Sequence, residues 1–338
     1  NMMQARRITS TVSSNHGIAL LMVLWVLTAL SILAFSFSYL TRTDANATIS
    51  FRKGLENKFL AEAGVERAVM EILYKRSAAK TKALVEEGEL WRADGTPHEI
   101  KIGEGLCTVR IRDEAGKIDI NTLTPSSGII LKNLLINLNV SPENADTIVD
   151  SVLDWKDADD LRRLHGAENN YYRSLPNPYD AKNGNFVTPE ELLLVKGVTP
   201  KILYGDSTTK GLIEFVTTLS RTPRINVNGA SKEVLLAIPG LTPLMVDAIL
   251  TVRQGKEIAT LEEIRSILAD GYQAANRFLT AGSSNILSIE SMGHEQGKKG
   301  YAVRATVTID ASNRYRYLYY KGPVTVSGED ETSTTENR

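Results

Sequence analysis

Oxygen-bearing side chains crowd one short stretch of this chain, between residues 150 and 169. They are Asp150, Asp154, Asp157, Asp159, Asp160, Glu168 and Asn169. Carboxylates this close repel one another unless a cation lies among them, and hard oxygen ligands favour calcium, which binds about six to eight. An EF-hand is excluded, because Leu161 and Arg162 stand where that loop needs an oxygen ligand and a glycine. A less regular calcium site stays open beside a plainer alternative, a solvated acidic helix end facing Arg162 and Arg163.

The candidate metal ligands are six of these residues: Asp154, Asp157, Asp159, Asp160, Glu168 and Asn169. A second candidate site is formed by Asp180, Asn183 and Asn185. Catalytic chemistry has little support. The 4 histidines lie in different regions, and the sequence has no metalloprotease helix, phosphate-binding loop or nucleophile elbow. We therefore expect no enzyme activity.

Composition narrows the class of protein. A net charge of −1 over 338 residues argues against strong non-specific attraction to nucleic acid or to an acidic membrane. The single cysteine, Cys107, cannot form an intrachain disulfide, and its alternating apolar and polar neighbours predict a small, buried strand residue.

The N-terminal region predicts a membrane location. A polar leader with Arg6 and Arg7 ends in Gly17 and runs into an apolar stretch, Ile18–Leu40, without Asp, Glu, Lys, Arg or Pro. Such a stretch is long enough to span a bilayer, and the preceding arginines favour a cytoplasmic N-terminus. The position of Gly17 resembles the type IV prepilin leader, which a peptidase cuts between Gly17 and Ile18. An ordinary signal anchor is the alternative.

The spacing of apolar residues predicts the helices and strands that must position the acidic cluster. Three- and four-residue apolar spacing predicts one helix from Ile18 to about Arg76, whose second half is amphipathic. Alternation predicts short strands in two blocks, Pro97–Asn121 and Ile286–Tyr320. Neither block has enough strands to be stable alone, so we expect one antiparallel sheet, packed on the long helix, with a helical domain inserted from about Thr124 to Gly282.

The insertion contains an internal repeat. Segments 188–200 and 231–243 align with shared Glu, Leu and Gly positions, and each predicts a helix, a glycine turn and a second helix. Ser or Thr followed by Pro marks three helix starts, at Ser141, Thr199 and Thr242. Helix-hairpin-helix units often bind DNA through phosphate contacts. An exported, membrane-anchored DNA receptor is therefore the alternative function, carried by Lys232, Arg253 and Lys256, although acidic residues follow them.

A family resemblance covers nearly the whole chain. Its carrying segments are Gly17–Ile18 with the apolar helix, Phe59–Gly64, Asp113–Asn121, Asp154–Asp159, Gly166–Asn169, Glu190–Leu192, Val195–Val198 and Ile225–Asn228. In this order they resemble the K-type minor pseudopilin of the type II secretion system. Met22 would be the fifth residue after cleavage, where most pilins have Glu, and K-type pseudopilins are similar to this chain in lacking that Glu.

The resemblance implies an α+β pseudopilin fold with a large inserted all-α domain that binds calcium, as two ions. It also implies a single span in the bacterial inner membrane, with the N-terminus cytoplasmic and the body periplasmic. Cleavage by prepilin peptidase and N-methylation would precede incorporation at the pseudopilus tip with I- and J-type minor pseudopilins, above the major pseudopilin. The resemblance implies that nucleic acid is not a binding partner.

The predicted organisation has seven parts. They are a prepilin leader (1–17), the membrane or fibre-core half of the helix (18–40), its amphipathic half (41–76), the first part of the sheet (77–123), the inserted α-domain (124–282), the second part of the sheet (283–327) and a disordered tail (328–338).

Overall fold

The fold is taken from a computed structural model that describes residues 16–81, 90–294 and 300–324. The predicted leader, apart from its last two residues, and the predicted tail lie outside these ranges. The chain divides into two compact units, one up to Glu56 and one from Asn57 onwards.

A single helix, α1 (His16–Thr81), opens the described chain. In the first unit its large apolar side chains, from Ile18 to Leu40, are exposed, and by length and composition this helix can cross a membrane. In the second unit one face of the same helix is buried. That face consists of Ala61, Val65, Ala68, Val69 and Ile72, at the three- and four-residue spacing of a helical stripe. The predicted change from apolar all round to amphipathic is confirmed.

Five strands form one antiparallel sheet. They are β1 (Asp94–Ile102), β2 (Gly105–Asp113), β7 (Ile286–His294), β8 (Tyr301–Ile309) and β9 (Tyr315–Lys321). The order across the sheet is β1-β2-β7-β8-β9, so the pair β2·β7 joins the two predicted blocks. The prediction of one antiparallel sheet is therefore confirmed.

The buried stripe of α1 packs against one face of this sheet. Val109 and Ile111 of β2, Ile289 of β7, and Val303 and Ala305 of β8 belong to the same apolar cluster as that stripe. Contact is close at Gly64, where an added Cβ would lie 2.4 Å from the sulfur of Cys107. Cys107 is fully buried in its strand, as predicted.

Helices are the main regular elements of the region between β2 and β7. Its helices are α2 (Gly128–Asn137), α3 (Pro142–Lys156), α4 (Asn169–Arg173), α5 (Pro200–Tyr204), α6 (Lys232–Leu236), α7 (Pro243–Gly255), α8 (Arg265–Leu268) and α9 (Tyr272–Ala275), with 3₁₀ turns at Glu114–Gly116, Pro189–Leu194, Leu212–Glu214, Leu261–Ile264 and Ala269–Gly271. Four two-residue strands also occur, β3 (Ile118–Asp119), β4 (Val216–Thr217), β5 (Ile225–Asn226) and β6 (Leu279–Thr280).

These short strands correct two expectations. The pairs β3·β4 and β5·β6 are parallel and lie outside the five-stranded sheet, so the inserted region is not purely α-helical. The segment Lys117–Asn121, predicted as a strand of the main sheet, instead supplies β3. A strand of two residues is too short to show alternation, so the sequence could not indicate where such strands pair.

The repeat in the insertion has the predicted turn geometry. Gly197 and Gly240 both have φ near 90° (89° and 92°), a left-handed conformation that other residues adopt at a cost. The hydroxyls of Thr199 and Thr242 accept the N–H groups of Ile202 and Met245, which caps α5 and α7 as predicted. The units differ in their first helix, which is 3₁₀ in one and α6 in the other.

The insertion leaves and rejoins the sheet at one place. Asp113, the last residue of β2, is the register partner of Leu287 in β7. The Asp113 carboxylate is buried and accepts hydrogen bonds from the amide of Asn226, the hydroxyl of Ser283 and the N–H of Ser284. The Asp113 side chain thus ties β5 and the C-terminal end of the insertion to the end of β2.

Candidate metal centre

The acidic cluster lies where α3 ends. Asp150 and Asp154 are one turn apart on α3, whose last residue is Lys156. Asp157 has extended backbone, and an irregular loop then leads to Glu168, the residue before α4. A buried aromatic group supports the end of α3, since Trp155 contacts Tyr172 edge to face at 5.1 Å. The cluster is therefore held by a helix end and a packed core.

Three predicted ligands converge. Asp157, Asp159 and Glu168 each offer a carboxylate oxygen that lies within 4.8 Å of the other two. Glu168 is only 4% exposed, and within the described ranges neither of its buried carboxylate oxygens has a hydrogen-bond partner. The same is true of Oδ1 of Asp157. Buried carboxylate oxygens without donors are costly, and a bound cation would remove that cost.

The charge of the cluster changes the acidity of its members. Burial, followed by the charges of Asp154, Asp157, Asp160 and Asp159, raises the pKa of Glu168 from 4.5 to about 7. Burial also raises the pKa of Asp154. For Asp154 the cause is burial, and the hydrogen bonds and charge of Arg163 oppose the rise in its pKa, whereas the aspartates add to the rise in the pKa of Glu168.

Arg163 is the principal cation of the loop. Its Nη1 donates to Oδ1 of Asp154 at 2.5 Å and to Oδ2 of Asp157 at 2.6 Å. Its backbone N–H also donates to Asp154, at 3.2 Å. The alternative interpretation, an acidic helix end that faces arginine, is therefore correct for Asp154, which forms a salt bridge with Arg163. It does not account for Glu168, whose oxygens the arginine does not reach by a hydrogen bond.

The remaining candidate ligands lie at the edge of the cluster. Oδ1 of Asp160 accepts the amide of Asn169 at 2.8 Å, and Oδ1 of Asn169 accepts the N–H of Ala181 at 2.8 Å. Asp159 accepts the N–H of Leu161 at 2.8 Å and keeps its second oxygen for the cluster. The structure therefore brings Asp157, Asp159 and Glu168 together and gives Asp154, Asp160 and Asn169 supporting contacts.

The donor set fits calcium. The converging atoms are all carboxylate oxygens, with no Cys or His among the three groups, which is the hard-ligand set that calcium prefers over zinc. The second predicted site receives less support. Asp180 is exposed and pairs with Arg173 at 2.5 Å, a contact that holds the pKa of its carboxyl below the usual value. The second metal site, with Asn183 and Asn185 as further ligands, therefore stays a prediction.

The basic residues of the DNA-binding alternative are engaged within the protein. Nη1 of Arg253 donates to the carbonyls of Val227, at 2.9 Å, and Ala230. Lys256 pairs with Glu263 at 3.1 Å, and Lys232 pairs with an aspartate of α7 at 2.6 Å. These contacts leave the hairpins without a free cationic surface at those three residues and do not favour phosphate binding.

Comparison with known proteins agrees with the sequence resemblance. Residues 116–205 match the family model described as type II secretion system protein K. The type II secretion system protein K of Pseudomonas aeruginosa is 29% identical over 252 residues, which cover 69% of this chain and 72% of that protein. That of Klebsiella pneumoniae is 25% identical over 280 residues, 79% of this chain and 80% of that protein.

A solved structure shows the same fold. The crystal structure of the GspK-GspI-GspJ complex from the enterotoxigenic Escherichia coli type 2 secretion system contains a chain that is similar at a TM-score of 0.59 and 17% identity. The similarity covers 83% of this chain and 100% of that one. The family model, the related sequences and the fold agree: the chain contains the domain of type II secretion system protein K and is similar to proteins of that name.

Proposed function

We propose that this protein is the tip subunit of the type II secretion pseudopilus. It starts assembly with I- and J-type minor pseudopilins, rests on the major pseudopilin, and supports export of folded proteins across the outer membrane. The observation that carries this proposal is the fold: the similarity to a chain of the GspK-GspI-GspJ complex covers 83% of the protein. The role is structural, not enzymatic.

The first half of α1 supports the tip position. A neighbouring pilin helix would present its N-terminal amine, and a carboxylate at the fifth mature position pairs with that amine in most pilins. Met22 supplies no carboxylate, so no subunit is needed above this one. The insertion between β2 and β7 adds bulk that would obstruct a further subunit.

We also propose the route to the tip. The apolar half of α1 spans the inner membrane once, with the N-terminus in the cytoplasm and the body in the periplasm. Prepilin peptidase cuts between Gly17 and Ile18, and the new N-terminus is methylated. The exposed apolar side chains of the helix then pass from lipid into the fibre.

Calcium has a structural part in this proposal. Asp157, Asp159 and Glu168 would hold the first ion, and Asp180 with its two asparagine neighbours the second. A bound calcium ion supplies positive charge that offsets carboxylate repulsion at the end of α3. Because Arg163 links Asp154 to Asp157, the loop that follows would be held in the same conformation.

The assembly claim is tested by coexpressing the full chain with I- and J-type pseudopilins and purifying the complex in detergent. We expect a stable complex with both partners, and gold labelling of an epitope on the insertion at one end of each pseudopilus. Labelling along the fibre, or no complex with either partner, would contradict the tip assignment.

The calcium claim has its own test, isothermal titration calorimetry of the chelator-treated protein. Replacing both Asp157 and Asp159 with Ala should remove one binding event, while Asp180→Ala should remove the other. Glu190→Ala, an exposed acid of the same region, is the matched control and should change neither. Titrations without measurable heat in the wild type would refute calcium binding.

A further inference from the structure

The face of the five-stranded sheet that points away from α1 is basic. Residues of β2, β7, β8 and β9 alternate between the two faces, and the apolar set that includes Val109, Ile289 and Ala305 packs on α1. The charged side chains of the opposite face are Arg110, Arg112, Glu290, Arg304, Arg316 and Lys321. We name this the outer face; on these four strands it carries five cations and one anion.

Strand register gathers the charges into a row. Arg110 pairs across strands with Glu290, Glu290 with Arg304, and Arg304 with Lys321. The single acid is only 8% exposed, and it lies 2.8 Å from Arg304 and 3.9 Å from Arg110. One carboxylate shared by two guanidinium groups leaves the row with excess positive charge.

Further cations extend this surface. Arg112 lies in the neighbouring row of β2 and is exposed, as are Arg316 and Lys321 on β9. A cleft of 450 Å³ borders the same face and includes Arg110, Arg112 and Arg304 in its lining. One acid of the cleft wall, Asp94, already pairs with a cation, Arg92, at 3.0 Å. An acidic partner on the outer face would therefore meet unneutralised charge.

The chain itself carries such a partner close by. The N–H of Val324 donates to the carbonyl of Ala302 at 3.0 Å. Val324 therefore lies beside β8, next to a residue that is two positions from Arg304. The sequence continues to Glu329, Asp330 and Glu331 within five to seven residues. Five extended residues reach roughly 17 Å, whereas Arg304 and Arg110 lie about 7 and 12 Å from Ala302 by strand and residue spacing.

We propose that the acidic run Glu329–Glu331 docks on the outer face, against Arg304 and Arg110. The attraction is between surface charges, so salt weakens it, and the short connection supplies a high local concentration of the acidic run.

Carbodiimide crosslinking of the full chain in detergent micelles tests this proposal. Arg304→Lys keeps the charge and introduces an amine at position 304. At about 20 mM salt we expect amides from this amine to Glu329, Asp330 or Glu331, and an at least fivefold loss of these amides at about 0.5 M salt. Peptide mass spectrometry identifies each crosslink.

A matched variant controls for reactivity. Arg265→Lys introduces an amine on α8, where the native arginine pairs with Glu262 at 3.1 Å just as Arg304 pairs with Glu290. Both amines should crosslink to their own partner, and only the amine at position 304 should reach the acidic run. Equal yields from the two positions, or amides to Glu290 alone, would overturn the proposal.

Two further outcomes are decisive. Crosslinks that increase with protein concentration and appear between chains would mean that a second copy occupies the face, which overturns intramolecular docking. Neutralising the run by Glu329→Gln, Asp330→Asn and Glu331→Gln should raise acetylation of the amine at position 304 about threefold, and leave position 265 unchanged. No change at position 304 would likewise count against docking.

Discussion

Replacing Glu168 with Gln tests the electrostatic account of the metal centre most directly. The change keeps the shape of the side chain and removes its charge. In chelator at pH 8 we expect the variant to be more stable than the wild type, because ionising Glu168 costs more in the folded protein than in the unfolded chain. Burial and four neighbouring aspartates are the cause, and they hold the pKa of Glu168 at about 7.

The size of the effect follows from that pKa. The difference between 4.5 and about 7 corresponds to at most about 3 kcal/mol at pH 8, since one pKa unit is worth about 1.4 kcal/mol. Solvent at the edge of the cluster reduces this, and we expect ~2 kcal/mol. For a body of this size, that raises the melting temperature by roughly 4 to 8 °C.

The pH dependence has a definite sign. Because the folded pKa is raised, the wild type loses stability as pH rises from 4.5 towards 7, where the unfolded chain ionises and the folded protein does not. Below pH 4.5 Glu168 is protonated in both states, so variant and wild type should melt together. Calcium should reverse the order at pH 8, because the ion held by Asp157, Asp159 and Glu168 stabilises only the protein that retains all three carboxylates.

Tryptophan fluorescence of the full chain in detergent provides the assay, since Trp155 is 2% exposed at the end of α3. The control is Glu190→Gln, which removes an equal charge from an exposed position of the same region. A Glu168→Gln variant that melts below the wild type in chelator at pH 8 would refute the reasoning. Equal stabilisation of variant and wild type by calcium would show that Glu168 is not a ligand.

Three further predictions concern the rest of the chain. Gly64→Ala should destabilise the second unit by about 1 to 3 kcal/mol in chemical denaturation, because its Cβ would meet the sulfur of Cys107, whereas Gly54→Ala has open space and should not destabilise. Asp113→Ala should cost about 1 to 3 kcal/mol and speed tryptic cleavage at the junction, because it leaves the buried amide of Asn226 and the half-buried N–H of Ser284 without their acceptor; a cleavage rate equal to wild type would contradict this. Replacing Gly17 with Leu should leave the leader attached, which intact mass would show; normal trimming would argue against prepilin processing.

The sequence predicted the elements that have strong periodicity. An apolar run followed by an amphipathic stripe indicated α1, and alternation indicated the strands that α1 covers. Alternation also indicated which strand residues face the core, because a one-residue slip would turn Val109 and its neighbours out of it. The short parallel strands were missed, since two residues such as Ile118 and Asp119 have no period and are placed by tertiary contacts alone.

The acidic cluster of the candidate metal centre was evident from composition, but its geometry was not. Spacing identified the acidic stretch, and the structure selects three of its members. The burial of Glu168 and the position of Arg163 depend on how α4 packs against the end of α3, which no local pattern encodes. The basic outer face was missed for a related reason, because Arg110 and Arg304 become neighbours only through the pairing of distant strands.

The junction at Asp113 gives the insertion the topology of a hairpin loop. The chain departs from β2 and returns in β7 at residues that are register partners, so the two ends of the insertion are about 5.5 Å apart or less. A two-residue turn could close the same gap between the same strands. The five-stranded sheet is thus continuous without any strand from the insertion. An insertion of another length could join β2 to β7 without changing the register of these strands.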